Sequence, residues 1–364
     1  MKIAMFGHKV IPSRSGGIEV AVGHLCARMA ELGHDVTCFN RAVSGEKPEE
    51  TCWKGVCIKT VLTVNRKGLA AVTSSFFAAL LAARGDADVV HIHALGPAFW
   101  CWIPAMAGKK VVVTVHGLDW KREKWKGSIG AAFIRGGEKM AVRFAHEMIV
   151  LSTDAQRYYR DTWGRETVLI PNGVTLPENR NVKLPEHLGL CEDGYILFLG
   201  RLVPEKGVHH LIEAFRRVRT DRKLVIAGAG SDTADYEKRL KEMARGDDRI
   251  LFAGFVQGDT LDALYRSALV YVLPSELEGM PLSLLEAMSW GNCCVVSDLP
   301  ECADVLDGCG MVFPRGNVRE LAERLQKLCD DPELVSRCRT ETLEAIRRKP
   351  GWSEVTERTL EVYR

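Results

Sequence analysis

Ser275-Glu276-Leu277-Glu278-Gly279-Met280-Pro281-Leu282-Ser283-Leu284-Leu285-Glu286-Ala287-Met288 follows the apolar run Leu269 to Leu273, which reads as a strand. Pro281 stands where a first helical turn tolerates proline, so the stretch predicts a strand, a loop and the start of a helix. Glu278 then lies on the loop and Glu286, eight positions on, lies on the helix. At such a helix start the backbone N–H groups of Leu282, Ser283 and Leu284 would attract a phosphate. A nucleotide-sugar carries hydroxyls at both ends and phosphates between them, and two carboxylate acceptors flanking an anion-binding helix end match that pattern.

Outward from this stretch, short β-branched runs alternate with helix-length segments, the signature of parallel α/β sheets. Strands are predicted near Ile3 to Phe6, Val36 to Phe39, Val89 to Ile92, Val111 to Val115 and Met148 to Leu151. The pattern restarts after Asn172, with strands expected near Ile196 to Leu199, Leu224 to Ala227, Ile250 to Ala253, Val270 to Leu273, Val295 to Ser297 and Met311 to Phe313. Helices are expected from Gly17 to Leu32, from Arg135 to Phe144, and where Val208, Leu211, Ile212, Phe215 and Val218 recur at helical spacing. A chain of 364 residues exceeds what one core usually supports. Two doubly wound domains facing across a cleft follow, residues 1–172 and 191–349, joined by a linker over 173–190 that contains the polar stretch Pro177 to Asn181.

Composition is that of a globular protein, 46% apolar and 26% charged, and a net charge of only +2 argues against a general nucleic-acid binder. The twelve cysteines show no paired C-x-x-C spacing and read as small buried hydrophobes in a reducing compartment. Met1-Lys2 leads straight into a short strand rather than a signal peptide, and Leu69 to Ala83 is too short to span a bilayer. A cytoplasmic protein is expected, with peripheral contact at the inner membrane surface.

Four further motifs accompany the acidic one: Gly200-Arg201-Leu202-Val203-Pro204-Glu205-Lys206-Gly207, Ile170-Pro171-Asn172-Gly173-Val174, Ser15-Gly16-Gly17-Ile18-Glu19 and Thr114-Val115-His116-Gly117. With the E-x7-E spacing of Glu278 and Glu286 they resemble, in order along nearly the whole chain, the retaining glycosyltransferases of the GT-B fold, in particular glycosyltransferase family 4 (glycosyl transferases group 1). The resemblance implies two Rossmann-like domains, the first on the acceptor side and the second binding the nucleotide-sugar. It also implies that the last helix, within residues 350–364, packs back on the first domain.

Arg201 and Lys206 follow a strand and a glycine, which places two cations at the carboxyl edge of a sheet, where ligands bind. There they would compensate the diphosphate and stabilise it as the leaving group. By resemblance, Glu286 accepts from the ribose hydroxyls, Glu278 lies near the donor sugar, and Gly279, Met280 and Pro281 supply close backbone contacts. Glu276 is an additional acid beside them. Gly16 and Gly17 would meet the donor phosphate or the acceptor, with Glu19 supporting the helix start, and His116 would contact the donor sugar. Phe255 and Val256 would flank the base, next to the weak glycine pattern Ala227-Gly228-Ala229-Gly230.

His91 and His93 share a strand face and, with His116, suggest metal ligation, but no acidic or cysteine partner has recognisable metal spacing, and strand-end packing or loop contact is the simpler reading. Asp86-Ala87-Asp88 resembles a metal-binding D-x-D but precedes a strand and reads as a solvated turn. No essential metal or other cofactor is expected, because Arg201, Lys206 and the helix start can take a cation's place. Lys121, Arg122, Lys124 and Lys126 interleave with Trp120 and Trp125; such a loop suits an anionic membrane surface beside a lipid-linked acceptor, an acceptor glycan, or plain solvation.

The function expected is retaining transfer of a sugar from a nucleotide-sugar, a UDP-sugar by preference, to a hydroxyl of a glycan or lipid-linked acceptor in cell-surface polysaccharide or glycoconjugate synthesis. A nucleotide-sugar epimerase or dehydrogenase on a similar scaffold is one alternative, which stoichiometric release of nucleoside diphosphate would exclude. A non-catalytic sugar-nucleotide or glycan binder is another, opposed by the joint presence of Arg201, Lys206, Glu278 and Glu286.

Overall fold

The computed structural model describes residues 1–42, 49–66, 68–121, 129–178, 181–230 and 234–364. The chain divides into two units, Met1–Gly173 with Pro350–Arg364, and Val174–Lys349.

In the first unit eight strands form one sheet: β1 (Lys2–Phe6), β2 (Asp35–Arg41), β3 (Glu50–Trp53), β4 (Val56–Val61), β5 (Val89–His93), β6 (Lys110–Val115), β7 (Glu147–Val150) and β8 (Val168–Leu169). Their order is β3-β4-β2-β1-β5-β6-β7-β8. All neighbours are parallel except β3 and β4, an antiparallel hairpin. Helices α1 (Gly17–Glu31), α2 (Leu69–Arg84), α3 (Trp102–Met106), α4 (Ile129–Phe144) and α5 (Thr153–Trp163) connect them. The strand order reverses between β1 and β5, so the loops after these strands diverge and leave a crevice at the carboxyl edge.

The second unit repeats the logic with six parallel strands, β9 (Tyr195–Leu199), β10 (Lys223–Ala227), β11 (Ile250–Gly254), β12 (Val270–Leu273), β13 (Cys293–Ser297) and β14 (Met311–Phe313). The order is β11-β10-β9-β12-β13-β14, with its reversal between β9 and β12. Its helices are α6 (Val208–Phe215), α7 (Ala234–Ala244), α8 (Asp259–Ser267), α9 (Leu282–Ser289), α10 (Pro300–Leu306), α11 (Val318–Asp330) and α12 (Pro332–Arg347). A central parallel strand covered on both faces needs a continuous apolar run, and Tyr195, Ile196, Leu197 and Phe198 of β9 are wholly buried. Leu211, Ile212 and Phe215 of α6 are buried in the same core.

Helix α13 (Trp352–Val362) belongs to the first unit: Trp352 stacks on His24 with ring centroids 4.7 Å apart, and the Arg358 guanidinium donates to the Leu169 carbonyl at 2.7 Å. The sequence reading passed over the β3–β4 hairpin. Its turn residues Lys54 (φ 47°) and Gly55 (φ 77°) both take positive φ, the geometry that Asn-Gly signals far more plainly than Lys-Gly. Helix α6 stops at Phe215, so Val218, still buried, packs from the following loop. Among the described residues no helix is long and apolar enough to cross a membrane.

Candidate active site

At the reversal point of the second sheet, the loop after β9 carries Gly200 and Arg201, then a single turn over Pro204–Lys206 closed by Gly207. The loop after β12 carries the acidic stretch. Two glycines press these loops together. Gly207 has φ +65°, and a Cβ there would lie 2.0 Å from the Pro274 carbonyl oxygen; a Cβ on Gly228 (φ +139°), after β10, would lie 1.8 Å from that of Gly200. Neither approach leaves room for a side chain. The Glu276 N–H donates to the Glu205 carbonyl at 2.8 Å, tying the cationic turn to the acidic loop.

The result is a pre-positioned ion pair. Lys206 Nζ stands 2.6 Å from Glu278 Oε1, and the two side chains are only 13% and 9% exposed. Ser275 Oγ donates to the same carboxylate oxygen at 2.6 Å, and Ser297 Oγ fixes the Ser275 carbonyl at 2.6 Å. An ammonium has three protons to donate, so a Lys206 held by one bond to Glu278 keeps capacity for an incoming phosphate. Arg201 lies at the same sheet edge, two residues beyond the end of β9.

Pro281 is the residue before α9 rather than inside its first turn, with φ −76° and ψ 106°. Of the three N–H groups expected to face an anion, that of Leu284 donates to the Pro281 carbonyl at 3.1 Å. The first turn has tightened on itself, and the N–H of Leu284 is engaged within it. Glu286 and Ser283 are held from beneath by two tyrosines. The Tyr265 hydroxyl donates to Glu286 Oε2 at 3.1 Å, and the Tyr271 hydroxyl to Ser283 Oγ at 2.8 Å. Burial pushes the Tyr271 phenol well above its usual range, so it stays a donor. Gly279 and Met280 are half-buried at the mouth of this loop, and Val256 packs against the core while Phe255 stands exposed. Ser275, Tyr265 and Tyr271 were missed in the sequence, since tyrosines and a serine near strands are ordinary there and only the fold brings them under the acidic pair.

In the first unit Gly16 precedes α1 and Gly17 is its first residue. Glu19 is buried and accepts the Lys9 N–H at 2.8 Å, so it anchors the loop after β1. His116 follows β6, and its Nε2 lies 3.0 Å from His93 Nδ1, which orients the ring. Burial holds the His116 imidazole down at about 4, with Asp119 and Glu19 pulling the other way, and it is therefore neutral at pH 7. His91 is fully bonded, Nδ1 to the Tyr363 hydroxyl at 2.6 Å and Nε2 to Thr114 Oγ1 at 2.7 Å. Asp86 pairs with the Lys2 ammonium and Asp88 accepts the Lys2 N–H at 2.8 Å, so both bind the first strand. Among the described residues the histidines of this unit form no group arranged to hold a metal; in the second unit one ring nitrogen each of His209 and His210 and a Glu276 carboxylate oxygen lie within 4.8 Å of one another. Trp120 is half-buried with the Arg135 guanidinium 4.6 Å above its ring, whereas Arg122, Lys124, Trp125 and Lys126 lie outside the described residues.

Two family models match, Glycosyltransferase Family 4 over residues 15–177 and Glycosyl transferases group 1 over residues 184–344. The chain is 32% identical to a phosphatidyl-myo-inositol mannosyltransferase of Mycobacterium leprae, covering 77% of this chain and 74% of that protein. It is 30% identical to a D-inositol 3-phosphate glycosyltransferase of Kineococcus radiotolerans, covering 96% of this chain and 90% of that one. Among solved structures, the α,α-trehalose-phosphate synthase (UDP-forming) of Burkholderia xenovorans in complex with glucose-6-phosphate superimposes with a TM-score of 0.80 at 15% identity, over 100% of both chains, and so shares the GT-B fold. The loop after β9, the acidic loop and the relatives converge: the chain belongs to glycosyltransferase family 4, the glycosyl transferases group 1, and transfers a sugar.

Proposed function

We propose that this glycosyltransferase takes a UDP-linked sugar and transfers it, with retention at the anomeric carbon and without an essential metal, to a hydroxyl of a glycan or lipid-linked acceptor. The observation that carries the reading is the part-buried Lys206–Glu278 pair at the reversal point of the second sheet, with Glu286 presented on the following helix. The Lys206 ammonium, the Arg201 guanidinium and the N–H groups of Leu282 and Ser283 bind the diphosphate. Glu278 accepts from a sugar hydroxyl and Glu286 from the ribose, while Val256 flanks the base. From the first unit, neutral His116 hydrogen-bonds a sugar hydroxyl, and Gly16 and Gly17 offer backbone to a phosphate or to the acceptor.

As the bond from the anomeric carbon to the diphosphate oxygen breaks, both bonding electrons go to the phosphate. Fixed cations favour that state over the ground state, which is what lowers the barrier. The acceptor oxygen bonds to the same face of the oxocarbenium-like sugar, and its proton passes to the leaving phosphate oxygen. Supporting the donor is the UDP-forming relative of like fold, and supporting a lipid-linked acceptor is the mannosyltransferase named for phosphatidyl-myo-inositol.

Incubation with a panel of UDP-sugars and lipid or glycan acceptors, followed by proton NMR of the product, tests this. The expected result is stoichiometric UDP and a product with the donor's anomeric configuration, at a turnover that excess EDTA leaves unchanged. An inverted product, or activity lost to EDTA and restored by a divalent ion, would overturn the corresponding part.

A further inference from the structure

Outside the proposed diphosphate contacts, the second unit brings three metal-ligating side chains to one place. One ring nitrogen each of His209 and His210 and a carboxylate oxygen of Glu276 all lie within 4.8 Å of one another. We infer that His209, His210 and Glu276 form a binding site for a divalent transition-metal ion of the zinc class.

The two histidines lie in the first turn of helix α6, which follows the Pro204–Lys206 turn after Gly207, and Glu276 comes from the loop after β12. Their meeting is built into the backbone. The close approach of Gly207 to the Pro274 carbonyl and the bond from the Glu276 N–H to Glu205 set the first turn of α6 against the acidic loop, and the Arg315 guanidinium holds the Glu276 carbonyl at 3.2 Å. His210 Nε2 already lies 2.8 Å from Glu276 Oε1, a contact that an ion between the two atoms would replace. With metal–ligand bonds of about 2.0–2.2 Å, closing the set needs only small rotations, and the Glu276 side chain, 43% exposed, is free to make them.

His209 shows the outer-shell arrangement of a ligating histidine. The Tyr236 hydroxyl lies 2.8 Å from its Nδ1, which fixes the ring and leaves Nε2 to bind the ion. Two imidazoles and one carboxylate are a donor set for Zn²⁺, Co²⁺ or Ni²⁺ rather than for Mg²⁺ or Ca²⁺, which prefer oxygen. Bound there, the ion would clamp α6 to the acidic loop.

The test is titration of the metal-stripped protein with Zn²⁺ by calorimetry and with Co²⁺ by visible absorption, beside the His209→Ala/His210→Ala double variant, Glu276→Gln and Tyr236→Phe. The wild type should take up one equivalent of Zn²⁺ and melt at a higher temperature with it. Tyr236→Phe should bind about tenfold or more weakly, as loss of an outer-shell partner does. The double variant, with unchanged circular dichroism, should lose both the uptake and the thermal shift. Absence of stoichiometric uptake by the wild type would overturn the inference. So would equal affinity in the double variant, which would locate the ion elsewhere, for example at the exposed thiols of Cys52 or Cys191.

Discussion

Lys206 is positioned before any ligand arrives: its pairing with Glu278 and the bond from Ser275 to the same oxygen restrict the ammonium, which under the proposed function lowers the ordering cost of the step in which charge grows on a diphosphate. Lys206→Ala should lower kcat by at least about a hundredfold with the fold intact, measured with a UDP-sugar and acceptor at saturation. Near-normal turnover in the purified variant would remove Lys206 from the diphosphate. Lys206 and Glu278 could be picked out in the sequence because the Gly200–Gly207 stretch and the eight-residue spacing of Glu278 and Glu286 together resemble the family's motifs. Their mutual bond was not, since nothing in a string 72 residues long says that two loops touch. That the Leu284 N–H bonds the Pro281 carbonyl was likewise not legible, because whether a first helical turn tightens onto Pro281 depends on backbone angles that residue types do not fix.

Sheet strands were legible because runs such as Ile196-Leu197-Phe198 and Val270–Leu273 must be apolar to lie in the middle of a layered core, and turns between them carry glycine. The β3–β4 hairpin was not, because Glu50–Trp53 is an edge strand with an exposed polar face and no apolar run to betray it. The glycine pattern Ala227 to Gly230 is weak as a nucleotide signature, and at Gly228 the structure supplies a packing reason for the glycine: the space is taken by the Gly200 carbonyl. Gly228→Ala therefore puts a methyl group into backbone at φ +139° and should lower the unfolding free energy by about 2 kcal/mol or more. Urea denaturation measures it. A variant as stable as the parent would mean that the loops after β9 and β10 are not packed as described.

Across the molecule, two doubly wound sheets place their functional loops at two reversal points, and the parallel α/β class of both units followed from alternation alone. The first unit also buries imidazoles: His8 and His91 are essentially inaccessible, and desolvation pushes them down to about 4 and about 3. An unfolded histidine titrates near 6.5, so between that value and the folded one only the unfolded chain takes up protons. The neutral histidines' contribution is complete above about pH 6.5 and lost as pH falls toward the folded values. Urea unfolding at pH 7.5 and pH 5.0, above the carboxylate range, should show stability lower at pH 5.0 by at least about 2 kcal/mol, and equal stability would contradict the buried neutral state. Most direct for the account as a whole is calorimetric titration of UDP into the wild type, Lys206→Ala and Glu286→Gln. The wild type should bind one UDP, Lys206→Ala should weaken it through the diphosphate and Glu286→Gln through the ribose, each by about tenfold or more. No binding by the wild type, or equal affinity in all three, would contradict the assignment of the second unit's reversal point as the nucleotide site.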